Sequence, residues 1–193
     1  MKYQDMSLDE LFLLAGKGNG TAFEQIVLQT EKLIYNLALS LTKSREDAED
    51  VTQETYLRLW RSLPDYRGAS AKSYIFRIAR NIAIDFIRKK NRSFELDTVI
   101  LTDEGEIERD IADPDPDIRP DEAFLRKLTV ETVRTCIDSL PIPMRELIVM
   151  RDMDGLSYSE IAEILGIPEG SVKSGLFRAR EKLKMLIIEK NIL

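Results

Sequence analysis

Apolar residues recur along this chain at three- and four-residue intervals, with no sustained alternation of apolar and polar positions, so the pattern predicts helices and no strands. Ser7-Leu-Asp-Glu10 and Thr21-Ala-Phe-Glu24 both carry the spacing of a capping box, in which hydroxyl and carboxylate each satisfy an amide orphaned at a helix start. Between them, Lys17-Gly-Asn-Gly20 reads as a turn. A helix over about 22–41 follows, then one over 45–62 that Ser44 caps and Pro64 stops. The Tyr66-Arg-Gly-Ala-Ser70 loop leads to a further helix over about 71–90.

The pattern changes after residue 92. Asp113-Pro-Asp-Pro-Asp-Ile-Arg-Pro120 cannot continue a helix, and the acids upstream repel one another. A stretch of this length without elements reads as a flexible linker; a surface loop of a single domain is the alternative. Four more helices are predicted beyond it, over about 121–138, 143–152, 157–165 and 170–189, with Pro143 in a first turn and Ser157-Tyr-Ser-Glu160 as another capping box. The expected architecture is all-α: two small helical domains, 1–92 and 122–193, joined by an acidic flexible linker, 93–121, with a helix-turn-helix in the second.

Charge sharpens this division. The net charge of −6 is concentrated in residues 93–123, which carry 2 basic and 12 acidic side chains, whereas residues 1–92 carry 15 basic against 12 acidic. Residues 66–92 hold eight basic side chains and only Asp85 as an acid. Local patches, not the whole-chain sum, decide contact with phosphates. One cysteine and no histidine leave no intrachain disulfide, no Cys/His zinc site and no histidine acid–base chemistry, so no cofactor, metal, small-molecule substrate or enzymatic activity is expected. Cys136 reads as a small core residue. The N-terminal residues lack a signal-peptide pattern and no apolar run approaches a membrane span, so a cytoplasmic location without membrane insertion is expected.

The most specific pattern lies in residues 155–183. Ala162 lets two helices cross closely, Gly166 supplies a left-handed turn, Pro168 keeps the first helix from running on, and Val172 anchors the second. Ile161, Leu165, Ile167, Val172 and Leu176 form one apolar set. Ser171, Lys173, Ser174, Phe177, Arg178 and Lys182 remain for outward or flanking faces. A helix entering a major groove needs short polar and long basic groups there. A helical hairpin with a solvated basic face is the plainer alternative; five basic residues against Glu181 between 170 and 184 favour DNA.

Two helices of the first half are also two-faced. Ala48, Val51, Thr55 and Leu59 suit a core, while Asp50, Gln53, Glu54, Leu57, Trp60 and Arg61 mix acids with a leucine and the sole tryptophan, a composition fitted to a protein partner. In the next helix Ile75, Ile78, Ile82 and Phe86 point one way and Arg77, Arg80, Asn81 and Arg88 largely the other, with Tyr66, Tyr74 and Phe76 nearby. Basic groups interleaved with aromatics suit single-stranded DNA.

With Asp47-Ala-Glu-Asp-Val-Thr-Gln-Glu54, Tyr74-Ile-Phe-Arg-Ile-Ala-Arg-Asn81, Leu140-Pro141 with Arg145, and the helix-turn-helix ending Arg178-Ala-Arg180, the chain resembles the extracytoplasmic-function (group IV) bacterial sigma factors. The resemblance implies an alternative sigma factor that binds core RNA polymerase and directs initiation at promoters. It implies docking of Asp50, Gln53, Glu54, Leu57, Trp60 and Arg61 on the β′ clamp helices, with the β flap as a further contact. It implies recognition of the −10 element and help with melting by Arg67, Tyr74, Arg77, Arg80 and Asn81, and of the −35 element by Ser171, Lys173, Ser174, Phe177 and Arg178. The acidic linker would thread through polymerase near the RNA path. An anti-sigma factor, able to hold the chain at the membrane, is a further implied partner. A repressor-like DNA-binding protein would use the same C-terminal helices without polymerase. The chain departs from the resembled pattern at Gly175, where an arginine is usual and a phosphate contact is thereby lost, and at Tyr74 and Ala71, where tryptophan and phenylalanine are frequent.

Overall fold

The structure, a computed structural model, describes residues 3–67, 70–97 and 131–190, with 91–97 as backbone alone. Among the described residues there is no strand, and no helix is long and apolar enough to cross a membrane.

Local hydrogen bonds set most helix starts. Helix α1 (Leu8–Ala15) begins at the predicted capping box: Glu10 N–H donates to Ser7 Oγ at 3.3 Å and Ser7 N–H donates to Glu10 Oε2 at 2.8 Å. Helix α2 (Gly20–Thr42) departs from expectation, since its cap is Asn19 and not Thr21. Asn19 Oδ1 accepts from Ala22 N–H at 3.0 Å while its amide donates to the Tyr3 hydroxyl, so a tertiary contact fixes the cap two residues earlier. Helix α3 (Arg45–Ser62) starts at Ser44 as predicted, and a single 3-10 turn through Pro64 ends it. Helix α4 (Ala71–Asp97) is capped from afar, its Ala71 N–H donating to Asp9 Oδ1 at 2.7 Å. It runs beyond the expected end near residue 90, into the first residues of the proposed linker; the rest of that linker lies outside the described residues.

Helices α1 to α4 wrap a core of Leu11, Phe12, Ile26, Leu37, Leu59 and Phe76, with Ala48, Val51, Thr55 and Leu59 buried as their stripe predicts. Ile75 and Ile82 are buried and Ile78 and Phe86 half-buried, each packed on this core as expected.

The second half is built from α5 (131–138), α6 (Ile142–Ile148), α7 (Tyr158–Leu165) and α8 (Glu169–Glu189). Of the helix expected over 121–138, the first ten residues lie outside the described residues. The helix expected over 143–152 is α-helical only to Ile148; Val149–Met153 then form one wide π turn, in which Asp154 N–H donates to Val149 O at 2.9 Å. Cys136 is a buried free thiol. Ser157 and Glu160 form the predicted capping box of α7, and Gly166 ends it at φ 65°, its N–H donating to Ala162 O. One apolar assignment fails: Ile167 is 37% exposed, and Ile164 takes the inner position because it lies one turn from buried Ile161 whereas Ile167 follows the left-handed turn outward.

The halves pack on each other, α6 against α2 and α7 against α4, and the apolar core is continuous across them. Arg145, with 3% of its surface exposed, donates from Nη1 to Ser40 O of α2 at 2.8 Å, and from Nη2 to Asp138 O at 2.8 Å and Leu140 O at 2.7 Å. Arg80 of α4 makes a bidentate pair with Glu146 of α6, Nε to Oε2 at 2.7 Å and Nη2 to Oε1 at 3.1 Å.

Replacing Gly166 with Ala forces a Cβ into left-handed backbone, although no atom lies within 4 Å of its ideal position. The expected outcome is a loss of about 1–2 kcal/mol in urea unfolding, from backbone strain alone; an unchanged midpoint would show that the turn relaxes.

Candidate nucleic-acid interface

Helix α8 presents the predicted duplex-reading residues to solvent. Ser171, Lys173, Ser174, Phe177 and Arg178 are all exposed, Phe177 by 68%, while Val172, Leu176 and Ala179 turn inward onto α6 and α7. Phe177 is a large apolar side chain that the core does not use. Lys173 pairs with Glu169 at 3.1 Å on its own helix, an exposed pair of little energetic weight. Ser174 Oγ donates to Ser171 O, an internal bond that a base or phosphate acceptor could replace.

The structure adds neighbours that the sequence reading did not single out. Lys173 Nζ lies 5.7 Å from the Tyr158 ring centre and Arg151 packs over the same ring at 4.8 Å, so two cations share one aromatic ring beside the start of α8. Arg151 Nη1 also donates to Leu156 O, which fixes its direction. Arg180 makes a bidentate pair with Asp152 that ties α8 to the π turn. Tyr158 was legible only as the filler of a capping box and Arg151 only as a helix residue; what they share is a place in space.

Gly175 acquires a different meaning. An ideal Cβ there would come within 2.8 Å of Leu147 Cδ1, so this position faces α6 at a close crossing. The residue that departs from the resembled pattern is one against which Leu147 has packed.

On α4 the predicted single-strand face is partly assembled. Arg77 and Asn81 are exposed, and Arg77 lies 5.7 Å from the Tyr74 ring centre. Tyr74 is half-buried in an aromatic cluster with Phe12 and Tyr66, its ring 4.9 Å from that of Tyr66. Burial pushes the Tyr66 phenol up, with Asp9 adding to the effect, so it stays a neutral hydroxyl. Arg67 is exposed and folds back, donating from Nη1 to Pro64 O and Tyr66 O. Arg80 is the exception. Its guanidinium is occupied by Glu146.

On α3 the partner-type face stands clear of the core. Asp50, Gln53, Leu57, Trp60 and Arg61 are exposed; Glu54 is half-exposed and holds Arg58 at 2.6 Å. Trp60, 42% exposed, sets its ring 4.9 Å from Phe23 of α2 in an edge-on contact. That contact anchors the indole while leaving one side open to a partner.

The chain matches known families along most of its length. Sigma-70 region 2 matches residues 26–93 and sigma-70 region 4 matches residues 131–183. The RNA polymerase sigma-H factor of Pseudomonas aeruginosa is 33% identical over 168 residues, covering 86% of each chain. The ECF RNA polymerase sigma factor SigW of Bacillus subtilis is 33% identical over 171 residues, 87% of this chain and 90% of that one. SigE of Mycolicibacterium smegmatis, an ECF RNA polymerase sigma factor, is 31% identical over 84% of this chain, which spans 60% of that longer protein. Among solved structures, CnrH in complex with the cytosolic domain of CnrY superposes with a TM-score of 0.68 at 25% identity, over 95% of this chain and 99% of that one. The sigma factor RpoE of Bartonella quintana, in complex with the anti-sigma factor NepR, superposes equally well, at 25% identity over 86% of this chain and 96% of that one. With both sigma regions in order and relatives aligned along most of its length, the chain belongs to the extracytoplasmic-function sigma factors, the alternative sigma factors that direct promoter-specific transcription.

Proposed function

We propose that the chain reads a two-part promoter with separate helices while a third holds core RNA polymerase. The −35 element is taken as duplex by α8 through Ser171, Lys173, Ser174, Phe177 and Arg178, with Arg151 and Tyr158 flanking the groove. The −10 element is taken as separated strand by Arg67, Tyr74, Arg77, Arg80 and Asn81. Unstacking a base costs a few kcal/mol, so capture of extruded bases selects sequence and favours melting in one step. Asp50, Gln53, Glu54, Leu57, Trp60 and Arg61 dock on the β′ clamp helices, and the second half meets the β flap. The sequence divides into residues 1–92, an acidic linker over 93–121, and residues 122–193.

One observation carries the reading. The exposed apolar groups Leu57, Trp60 and Phe177 each sit among charged neighbours on helices whose other faces already fill the core, so these faces are spare for partners. An anti-sigma factor covering the same faces is the regulatory partner this arrangement fits, since RpoE of Bartonella quintana is seen with the anti-sigma factor NepR and CnrH with the cytosolic domain of CnrY. The working location is the cytoplasm, with a membrane-held anti-sigma factor as the means of keeping the chain at the membrane.

Run-off transcription with purified core polymerase over a genomic promoter library should give discrete products that depend on this chain, and their absence would overturn the reading. Arg178→Ala should weaken −35-dependent initiation by about 1–3 kcal/mol, read as a change in promoter preference; unchanged preference would remove Arg178 from the interface. Reversing Glu54 and Arg61 together (Glu54→Lys with Arg61→Glu) should reduce capture of the chain by core polymerase while leaving promoter contacts of the assembled enzyme unaltered. Because Glu54 also holds Arg58, the variant's thermal unfolding is read alongside, and retained capture would place the polymerase contact elsewhere.

A further inference from the structure

The contact between the halves uses Arg80, one of the groups proposed to read the −10 element. Glu146 is a carboxylate whose side chain is only 4% exposed, and it meets Arg80 through two parallel hydrogen bonds. That is the fork geometry with which a guanidinium grips a phosphate. In this packing an internal anion stands where nucleic acid would stand. Arg145 reinforces the contact by crossing from α6 to the carbonyl of Ser40 on α2.

A second charge is buried at the same contact, without such compensation. Asp154 closes the π turn of the second half, on the side that packs against α2. It is buried, and neither carboxylate oxygen has a hydrogen-bond partner among the described residues. Asn36 of α2 and Lys72 of α4 face it from the first half and favour its charged form, yet neither comes to ordinary hydrogen-bond distance. On its own side, Arg151 is held by Leu156 O and the Tyr158 ring, Asp152 by Arg180, Glu160 by Ser157, and on α6 Arg145 by carbonyls and Glu146 by Arg80. Glu160, like Asp154, feels Lys72, which divides that ammonium between two carboxylates. A buried carboxylate left this way is stabilised by holding a proton.

We infer that the described packing is a self-masked state of the chain, latched by Glu146 on Arg80, and that closing it takes up a proton at Asp154. The inference rests on the promoter reading for its consequence, the withdrawal of Arg80 from DNA; the closure itself is a property of the chain alone. Its pH dependence has a definite sign. In the closed form burial pushes the Asp154 carboxyl up to about 7, against the ordinary carboxyl value of 3.8 that an open, solvated chain would restore. The closed form is therefore fully favoured below the open value. It weakens by about tenfold in equilibrium constant per pH unit through the window between the two, and changes no further above about 7. Acidification closes the chain, and neutral or alkaline conditions release it.

The test uses the full-length chain. Carboxyl carbon resonances are followed by NMR, with the Asp154 signal identified by its loss in Asp154→Asn, and the radius of gyration is measured by X-ray scattering from about pH 6 to about pH 8.5. The wild-type Asp154 should titrate near 7, about three units above its ordinary range. The radius should grow with pH to a plateau above that midpoint. Asp154→Asn, isosteric and uncharged, should stay compact at every pH, and Lys72→Met should move the midpoint still higher by removing the facing ammonium. Glu146→Gln should enlarge the radius at pH 6. An Asp154 midpoint in the ordinary carboxylate range, a wild-type radius that does not change with pH, or an unchanged pH course in Asp154→Asn overturns the inference. Run-off transcription on the same preparations separates the two readings. Promoter-specific products without any pH-dependent closure would sink the latch and leave the sigma reading, whereas pH-dependent closure in a chain inert at every promoter would do the reverse.

Discussion

Arg145 carries a full positive charge into a place where only 3% of its surface meets water, and main-chain carbonyls receive it. Removing an unpaired cation from water costs several kcal/mol, and what offsets that cost is three charge-assisted bonds of about 1.5–3 kcal/mol each. Ser40 lies in the last turn of α2, and Asp138 and Leu140 lie at the end of α5 and just beyond it, where unpaired carbonyls concentrate partial negative charge. Arg145 is thus a C-terminal cap for two helices at once. Because one of those helices belongs to the first half and the other to the second, the position of α6, and with it of everything α6 packs against, depends on this one side chain. Burial, with neighbouring Arg145 adding to it, also lowers Lys43, so the local field at the contact is already crowded with positive charge.

The same contact sets the proposed promoter-reading surface against a packing surface at one residue. Arg80 lies on the face of α4 proposed to read nucleic acid, yet its bonds run to Glu146 on α6. Arg77, about one turn earlier, and the adjacent Asn81 remain open. A guanidinium does not distinguish a fixed carboxylate from a phosphate by chemistry, only by which is nearer. The helix-turn-helix face escapes this competition because α8 turns its reading side away from α6 and α7.

Several elements were legible from residues close in sequence. Ser7 with Glu10, Ser157 with Glu160, Ser44 before α3 and Gly166 after α7 act through bonds spanning three or four residues, and each is found where the sequence places it. The misreadings have different causes. Thr21 loses the cap of α2 to Asn19, which is held by Tyr3 sixteen residues away. Ile167 is apolar and periodic but follows the left-handed turn to solvent. At Gly175, Leu147 stands where a Cβ would project, a packing contact with no local signature.

Periodicity and short-range hydrogen bonding therefore determined, from the sequence by itself, that the chain is helical, where most of its helices begin, which stripes fill the core, and which side of α8 and α3 is left exposed. Those properties depend on side-chain direction along a single helix, which repeats every 3.6 residues whatever surrounds it. The tertiary structure alone decided that the halves share a core, that Arg80 meets a carboxylate 66 residues away, that Arg145 reaches Ser40 across 105 residues, and that Asp154 lies buried. Such pairings carry no local signature. Their energies depend on how far water is excluded, and that is set only when distant surfaces meet.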